Sequence, residues 1–282
     1  MKSDIVCIPC ILNFCLRTLN FCDIKASQKE EIFIKIVKRI GDFSLEKSPA
    51  ALADYATGII KEEIGIEDPY REEKKEQNEK ALRVYPRLKE MVRDSKDKLK
   101  TAFMVSAIGN VIDLGAHANF DIEAILHDFA DIEFTKDHFN DFRSKLRSSK
   151  TLLFIADNCG EIIFDRVLLE ELEDIRKIVA VKSGPFINDV TIRDINDTGI
   201  EKTAEIIETG TNSLNFDVDE LGEEFIKTFK EADIIISKGH ANFEALHGKR
   251  LDIYFLLRAK CDIVARVIGV TKGDFVFSKF PG

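Results

Sequence analysis

The sequence lacks any stretch of roughly eighteen uninterrupted apolar residues, the length that a membrane-crossing helix needs. Its first ten residues, MKSDIVCIPC, also lack the charged start, long apolar segment and small-residue cleavage site of a signal peptide. We therefore expect a cytoplasmic chain with no membrane partner. Its 282 residues, 45% of them hydrophobic, are enough for one large domain or two ordinary ones.

An excess of basic residues is missing as well. The chain has 41 lysines and arginines against 50 acidic residues, which gives a net charge of −9. Nucleic-acid binding depends on a concentrated positive face that neutralises phosphates, and here the basic residues are interspersed among acids. We expect no nucleic-acid partner and a small-molecule ligand instead.

The six cysteines do not predict a disulfide framework, because a cytosolic chain of this size does not need one. Free thiols or metal ligands are the alternatives. The pair Cys7 and Cys10 has the spacing of half a zinc site, but the sequence offers no second Cys-x-x-Cys and no histidine pair to complete it. A redox pair would be expected after a strand, which this helical context does not supply. We favour a structural thiol pair.

The first half of the chain is predicted to be helical almost throughout. Apolar residues recur at helical spacing, as in segment 32–40. Ser48 and Pro49 are typical of a helix start and Gly65 of a helix end, whereas Pro86 should kink or break a later helix. Further helical patterns cover about 95–113, 121–130 and 136–147. No segment of this half has the pattern of a strand.

Short, continuous apolar runs replace this pattern from residue 148 onward. Such runs, rich in β-branched residues and separated by helical stretches, are typical of a parallel sheet. The predicted strands are 151–156, 177–182, 204–209, 232–237 and 261–269, and the predicted helices are about 161–173, 190–197 and 219–230. We predict an α/β fold in which a helical N-terminal bundle (1–147) packs on a Rossmann-like, mostly parallel sheet with flanking helices (148–282).

Three predicted strands end in polar clusters: DNCGE at 157–161, SGPFINDVT at 183–191 and SKGHANFE at 237–244. Ligands bind at the carboxyl ends of strands in such sheets, so these clusters should converge. Asp157, Asn158 and Asp189 offer oxygen ligands for a hard divalent cation such as Mg²⁺ or Mn²⁺. Lys238 and the glycine after it could meet an anion. A metal beside an anion site suggests phosphate chemistry.

Each cluster also has a structural explanation. Asp157 and Asn158 could form a turn that caps the next helix, and Asp189 could cap a helix beginning at Val190. A Lys-Gly pair after a strand is common in turns. The occurrence of all three clusters at successive strand ends favours the functional interpretation.

The same segments resemble the metal-dependent damage-control phosphatase family. The matching motifs are DNCGE, then P-x-x-N-D-x-T-x-x-D at 185–194, K-G-x-x-N-F-E at 238–244, and upstream AIGNVIDLG at 107–115. The opening CIPC is similar to the Cys-x-x-Cys of the small prokaryotic branch, and the resemblance covers nearly the whole chain. It implies a helical part on a Rossmann-like domain, and a phosphatase that uses Mn²⁺, Ni²⁺ or Co²⁺ on small phosphorylated metabolites.

The resemblance also implies roles for individual residues. Asp157, Asn158 and Asp189 would be the metal ligands, and together with Lys238 they form the expected catalytic set. The expected substrate-binding residues are Asn110, Asp113, Glu161, Lys238, Gly239 and Asn242. Glu161 could instead simply favour the N-terminus of its helix. Cys159 stands where relatives carry Ala or Ser, and we expect it to be a small buried residue rather than a ligand.

The expected reaction is metal-assisted attack of water on a phosphomonoester, in line with the leaving group. An aspartyl nucleophile, Asp157, remains an alternative. Other classes also stay open, since the fold alone decides no function. They are an S-adenosylmethionine-dependent methyltransferase, a non-enzymatic nucleotide-binding protein, and a metal-sensing protein that uses the early cysteines. The lack of G-x-G-x-x-G after any predicted strand disfavours dinucleotide binding.

Overall fold

The structure is a computed structural model that describes residues 1–109, 133–196, 198–248 and 252–280. Five helices come first: α1 (Cys7–Phe21), α2 (Ala26–Ile40), α3 (Pro49–Ile64), α4 (Arg71–Asp94) and α5 (Lys98–Gly109). They confirm the helical character predicted for this part of the chain. The helix predicted at 121–130 lies outside the described residues. None of the described helices is both long and apolar enough to span a bilayer.

The predicted start and end of α3 are confirmed. The Ser48 side chain accepts a hydrogen bond from the Ala51 amide (3.0 Å), which satisfies one of the free N–H groups at the helix start. Gly65 ends the helix with a left-handed backbone at φ +68°, a conformation that glycine adopts without steric cost. Pro86 does not end α4, which continues through it to Asp94.

A seven-stranded sheet follows, in the order β1-β7-β6-β5-β2-β3-β4. Its strands are β1 (Phe134–Asp137), β2 (Thr151–Ile155), β3 (Arg176–Val181), β4 (Glu205–Glu208), β5 (Ile234–Lys238), β6 (Ile253–Arg258) and β7 (Phe275–Lys279). Neighbours are parallel except for β6 and β7. The helices among them are α6 (Phe139–Leu146), α7 (Glu161–Glu170), α8 (Glu223–Glu231), α9 (His240–Leu246) and α10 (Asp262–Ile268). The predicted α/β fold is confirmed.

Several predicted elements are wrong in detail. The segment 261–269 is helix α10 rather than a strand: the Cys261 side chain accepts from the Val264 amide (3.4 Å) at its start, and Gly269 ends it at φ +79°. A helix was predicted at 190–197, but the described residues 190–196 contain only a short 3₁₀ turn, Ile192–Asp194. Strands β1, β6 and β7 were not predicted, and β1 contradicts the expectation that the first half has no strand.

Two hydrophobic clusters cover the two faces of the sheet. One includes residues of α4, α5, α6 and α7, and the other includes residues of α8, α9 and α10. Helices α1 to α3 form a third cluster of their own. Because α4 and α5 share a core with the sheet, the N-terminal helices are held firmly against it. The predicted domain boundary between residues 147 and 148 stays a prediction.

Candidate active site

The three polar clusters predicted from the sequence meet at one edge of the sheet. Strands β5, β2 and β3 are adjacent and parallel, so their carboxyl ends point the same way. The loops after β2 and β3 are joined by backbone hydrogen bonds, from the Val190 amide to the Asp157 carbonyl (2.9 Å) and from the Cys159 amide to the Asn188 carbonyl (2.9 Å). These bonds hold the two loops in a fixed register.

The predicted metal ligands lie together in these loops. Asn158 pairs with Asp189 across the loops as an isolated antiparallel bridge, and Asp157 and Asp189 are both buried. The Asn158 Nδ2 donates to Asp157 Oδ2 (2.7 Å) and to Glu161 Oε2 (3.1 Å). Since both bonds use the amide nitrogen, the amide oxygen is the atom through which Asn158 would contact a cation.

The charges at this edge suit a divalent cation. Burial raises the pKa of Asp189 well above its ordinary value; Lys182 opposes this rise, and the nearby Asp157 charge adds to it. A bound cation would relieve that repulsion, and two carboxylates with an amide oxygen are hard-cation ligands. In the part of the chain that the structure describes, no three His, Cys, Asp or Glu side chains form a metal site by themselves. The predicted set has two carboxylates, so water and substrate would supply other ligands.

Lys238 lies at the end of β5 and is completely buried. Its ammonium contacts Asp165 Oδ1 (2.6 Å), Glu161 Oε1 (2.8 Å), and both the carbonyl (2.7 Å) and the hydroxyl (2.9 Å) of Ser106. Burial lowers the pKa of Lys238, but Asp165 and Glu161 outweigh it and keep the lysine charged. All three of its N–H donors are thus engaged. A phosphate at Lys238, as predicted from the sequence, would have to displace one of these partners.

Glu161 connects this lysine to the predicted ligands. One of its carboxylate oxygens accepts from Asn158 and the other pairs with Lys238. It begins α7, as expected from the sequence. Its buried position between an amide and an ammonium indicates that it orients Asn158.

Gly239 and Asn242 shape the turn from β5 into α9. Gly239 has φ +83°, and a Cβ atom there would overlap with the Asp157 carboxylate. The buried Asn242 Nδ2 donates to the carbonyls of Ala156 (3.1 Å) and Lys238 (2.7 Å), which ties the ends of β2 and β5 together. The amide nitrogen of Asn242 is therefore engaged by two backbone carbonyls. The contact of Asn242 with phosphate stays a prediction.

Two predicted substrate-binding residues, Asn110 and Asp113, lie outside the described residues. The chain reaches them from Gly109, the last residue of α5, which packs so tightly on α7 that a Cβ atom would lie 2.9 Å from Phe164 Cβ and 3.3 Å from Glu161 Cγ. Cys159 is buried, and burial raises its pKa well above the ordinary thiol value. That environment agrees with the small buried residue expected from the sequence.

Lys182 is a candidate site residue that the sequence reasoning missed. It follows β3 directly and is buried, with its ammonium bonded to the Ser213 carbonyl (2.7 Å) and 4.4 Å from the centre of the Phe216 ring. Burial lowers its pKa, while the charges of Asp189, Asp54 and Asp157 act in the opposite sense. The sequence feature that could have identified Lys182 is its position as a charged residue at the end of an apolar strand.

Helix α3 contributes to the same region. Asp54 accepts hydrogen bonds from the Ser213 hydroxyl (2.6 Å) and the Leu214 amide (2.9 Å), which joins α3 to the loop after β4. An open cleft of about 390 Å³ lies between α3 and the loops after β3 and β4, and Lys61, Phe186 and other residues line it. Small-molecule sites usually lie in such clefts.

The mostly parallel sheet, with acidic and lysine side chains at its carboxyl edge, is that of an α/β protein, a class in which ligands bind at that edge. Comparison with known proteins identifies the family within this class. Residues 4–276 match the profile of the damage-control phosphatase ARMT1-like domain. The chain is 36% identical to a damage-control phosphatase of Archaeoglobus fulgidus, over 98% of each chain. It is 31% identical to a damage-control phosphatase of Pyrococcus horikoshii, over 98% of this chain and 97% of the relative.

A crystal structure gives the same result in three dimensions. The DUF89 family protein of Pyrococcus horikoshii superposes with a TM-score of 0.91 at 30% identity, over 99% of both chains. The chain therefore belongs to the damage-control phosphatase ARMT1-like domain family and is a phosphatase. The family resemblance predicted from the sequence is confirmed.

Proposed function

We propose that the protein is a divalent-metal-dependent phosphatase that hydrolyses phosphomonoesters of small metabolites, such as sugar phosphates, nucleotides or phosphorylated cofactor precursors. One observation carries this proposal. Asp157, Asn158 and Asp189 lie together at a buried sheet edge, in a chain of a phosphatase family. The negative charge of the two carboxylates is the reason for expecting Mn²⁺, Ni²⁺, Co²⁺ or Mg²⁺.

Asp157, Asn158 and Asp189 would hold the metal. When bound, such an ion lowers the pKa of a water molecule and neutralises negative charge on the phosphate. Glu161 fixes the amide nitrogen of Asn158 and so aims its oxygen, as residues behind metal ligands commonly do. Gly239 allows the backbone to approach Asp157 closely.

Two lysines would add positive charge near the substrate phosphate. The Lys182 ammonium has three N–H donors, and among the described residues its hydrogen-bond acceptor is the Ser213 carbonyl. It also lies near the charges of Asp157 and Asp189. We therefore assign the phosphate contact first to Lys182. The contact of Lys238 with phosphate stays a prediction, and its bonds to Glu161 and Asp165 support a positioning role.

The test is phosphate release by metal-free protein from a panel of phosphomonoesters, with and without each divalent ion. We expect turnover only with added metal. Asp189→Asn should abolish turnover and metal binding, measured by calorimetry, while the protein stays folded. The matched control is Asp174→Asn, because Asp174 is exposed and asparagine tolerates its positive φ of 57°.

Full turnover by metal-free protein would contradict the proposal, as would normal metal binding by Asp189→Asn. Binding of S-adenosylmethionine without phosphate release would favour the methyltransferase alternative. Of the two candidate functions, the oxygen-ligand set favours the phosphatase.

A further inference from the structure

A cluster of thiols lies beside the active-site edge. His240, the residue after Gly239, has its Nε2 3.6 Å from Cys261 Sγ and 3.2 Å from a Glu244 carboxylate oxygen. His240 and Glu244 belong to α9, and Cys261 directly precedes α10. The proposed phosphatase chemistry uses none of them.

The first turn of α1 reaches the same place. Ile11 packs on the same hydrophobic cluster as Cys261, and Ile263 of α10 packs on the cluster that contains Cys7. Cys10, in the same turn, is exposed. The charge of Cys261 acts on the pKa of both Cys7 and Cys10, so thiols about 250 positions apart in the chain lie within electrostatic reach of one another.

The three thiols have different environments. Burial raises the pKa of Cys7 and of Cys10, and the charge of Cys261 raises both further. For Cys261 burial also acts to raise the pKa, but hydrogen bonds from His240 and from the Val264 amide outweigh it and lower the pKa. Cys261 is therefore the thiol with the most thiolate character, although Cys10 is more exposed.

His240 is suited to stabilise a thiolate. Burial acts to lower its pKa, yet its bonds to Cys261 and Glu244 raise the pKa to about 9. Protonation of the second ring nitrogen, Nδ1, would cost only a long contact from the Lys260 amide (3.3 Å). An imidazolium held by Glu244 next to a sulfur is an arrangement that activates cysteines.

We propose that Cys261 is a site of reversible oxidation by hydroperoxides, with Cys10 as the thiol that resolves the product into a disulfide. Sensitive thiols of this kind are partly exposed, rich in thiolate and close to a second cysteine. The proposal does not depend on the phosphatase assignment.

Both steps conserve atoms and electrons. The Cys261 thiolate attacks a hydroperoxide oxygen, an S–O bond forms, the O–O bond breaks, and the leaving oxygen takes a proton to become water or an alcohol. Cys10, as its thiolate, then attacks the sulfenic sulfur, so that an S–S bond forms and the S–O bond breaks. The departing hydroxide takes up the proton released by Cys10 and leaves as water. The two thiols supply the two electrons that reduce the hydroperoxide.

The first test uses the unmodified protein, treated with limiting iodoacetamide near neutral pH and mapped by peptide mass spectrometry. We expect Cys261 to be alkylated several-fold faster than Cys10, which reverses the order of their exposure. His240→Gln should slow Cys261 about tenfold, the effect of one pKa unit on the thiolate population. His247→Gln is the matched control, because His247 stacks on Phe243 and should leave the rate unchanged.

The second test adds hydrogen peroxide. We expect a disulfide-linked peptide that joins Cys10 to Cys261, and in Cys10→Ser the over-oxidised sulfinic acid at Cys261 instead. Faster alkylation of Cys10 than of Cys261 would overturn the proposal, and so would an unchanged Cys261 rate in His240→Gln. A stoichiometric zinc ion that protects the thiols of the purified protein would also overturn it, because the cysteines would then be ligands.

Discussion

Two buried lysines flank the predicted metal ligands, and their partners differ. The ammonium of Lys238 contacts two carboxylates and both oxygens of one serine, so it belongs to a closed ion cluster. Lys182 has a carbonyl and an aromatic face as its direct neighbours, with the site carboxylates close by. A lysine with spare donors can bind a ligand, whereas a saturated lysine mainly holds its neighbours in place.

Lys182→Met tests the first of these roles. We expect kcat/KM to fall about a hundredfold or more, the usual effect of losing one preorganised charge at a reacting group. Metal affinity should change far less, since lysine is not a ligand. Steady-state kinetics and calorimetric metal titration on the same preparation would measure both quantities.

Lys177→Met is the matched control for this prediction. Lys177 lies near the opposite end of the same strand, and its ammonium bonds to the carbonyls of Leu169 and Leu172. The activity of the Lys177→Met variant should remain near that of the unmodified protein. Equal losses in both variants would show that Lys182 acts through the stability of β3.

Lys238→Met should chiefly affect stability. The change leaves two carboxylates, Glu161 and Asp165, buried without their cation, and breaking a buried pair in this way costs about 3–5 kcal/mol. Denaturant unfolding of the metal-free protein would measure the change. Lys100→Met, which breaks the exposed pair with Asp137, should cost less than about 1 kcal/mol. A stable Lys238→Met that has lost only kcat/KM would instead support direct contact with phosphate.

The proposed metal ligands could be identified from the sequence, whereas the proposed role of Lys182 could not. Asp157, Asn158 and Asp189 interrupt apolar runs or stand in a family motif, so their residue types attract attention. Lys182 ends an apolar run that was counted as strand. Its proposed role depends on the carboxylates around it, which come from α3 and from the loops after β2 and β3 and meet only in the folded chain.

At the scale of elements, the turn from β5 into α9 depends on Gly239. An alanine there would both occupy a left-handed backbone and overlap with the Asp157 carboxylate. We expect Gly239→Ala to weaken metal binding at least tenfold and to lower stability by a few kcal/mol, the scale of clashes in packed sites. Thermal unfolding and metal titration would measure these effects.

Gly248→Ala distinguishes the effect of a positive φ from the effect of the overlap with Asp157. Gly248 has nearly the same φ, +82° against +83°, but a Cβ atom there meets nothing within 4 Å. This control carries the cost of a side chain at positive φ, about 1–2 kcal/mol, without the overlap. The extended ψ of 162° at Gly239 adds to the backbone cost there. If both variants lost the same stability and neither lost metal affinity, the close approach to Asp157 would be unimportant.

Strand and helix types were predictable only where context agreed with pattern. Strands β2, β3 and β5 are short apolar runs on the central part of the sheet, and they were found. Segment 261–269 has the same composition, but Cys261 caps it and Gly269 ends it, so it folds as α10. A short apolar run cannot distinguish a strand from a buried helix by periodicity alone.

At the scale of the whole molecule, the helices and the sheet depend on each other through α5 and α7. Ser106 of α5 bonds to Asp165 of α7 (2.5 Å) and to Lys238 of β5, deep between the layers. The sequence predicted both layers but not this joint, because its members are separated by 59 to 132 positions in the chain. Polar groups buried at such a joint make the stability of the whole fold depend on pH.

The pKa of Asp165 determines the expected direction in which stability changes with pH. Burial, only partly offset by Lys238, raises its pKa from 3.8 to about 7, and its Oδ2 has no hydrogen-bond partner among the described residues. The folded protein therefore holds a proton that the unfolded chain releases, so Asp165 costs stability progressively as pH rises from about 4 to about 7. The cost is at most about 1.4 kcal/mol per pH unit. In Asp165→Asn, the stability of the metal-free protein should decline less across this window. Chemical denaturation at several pH values would show the difference, and parallel curves for the two proteins would refute the raised pKa.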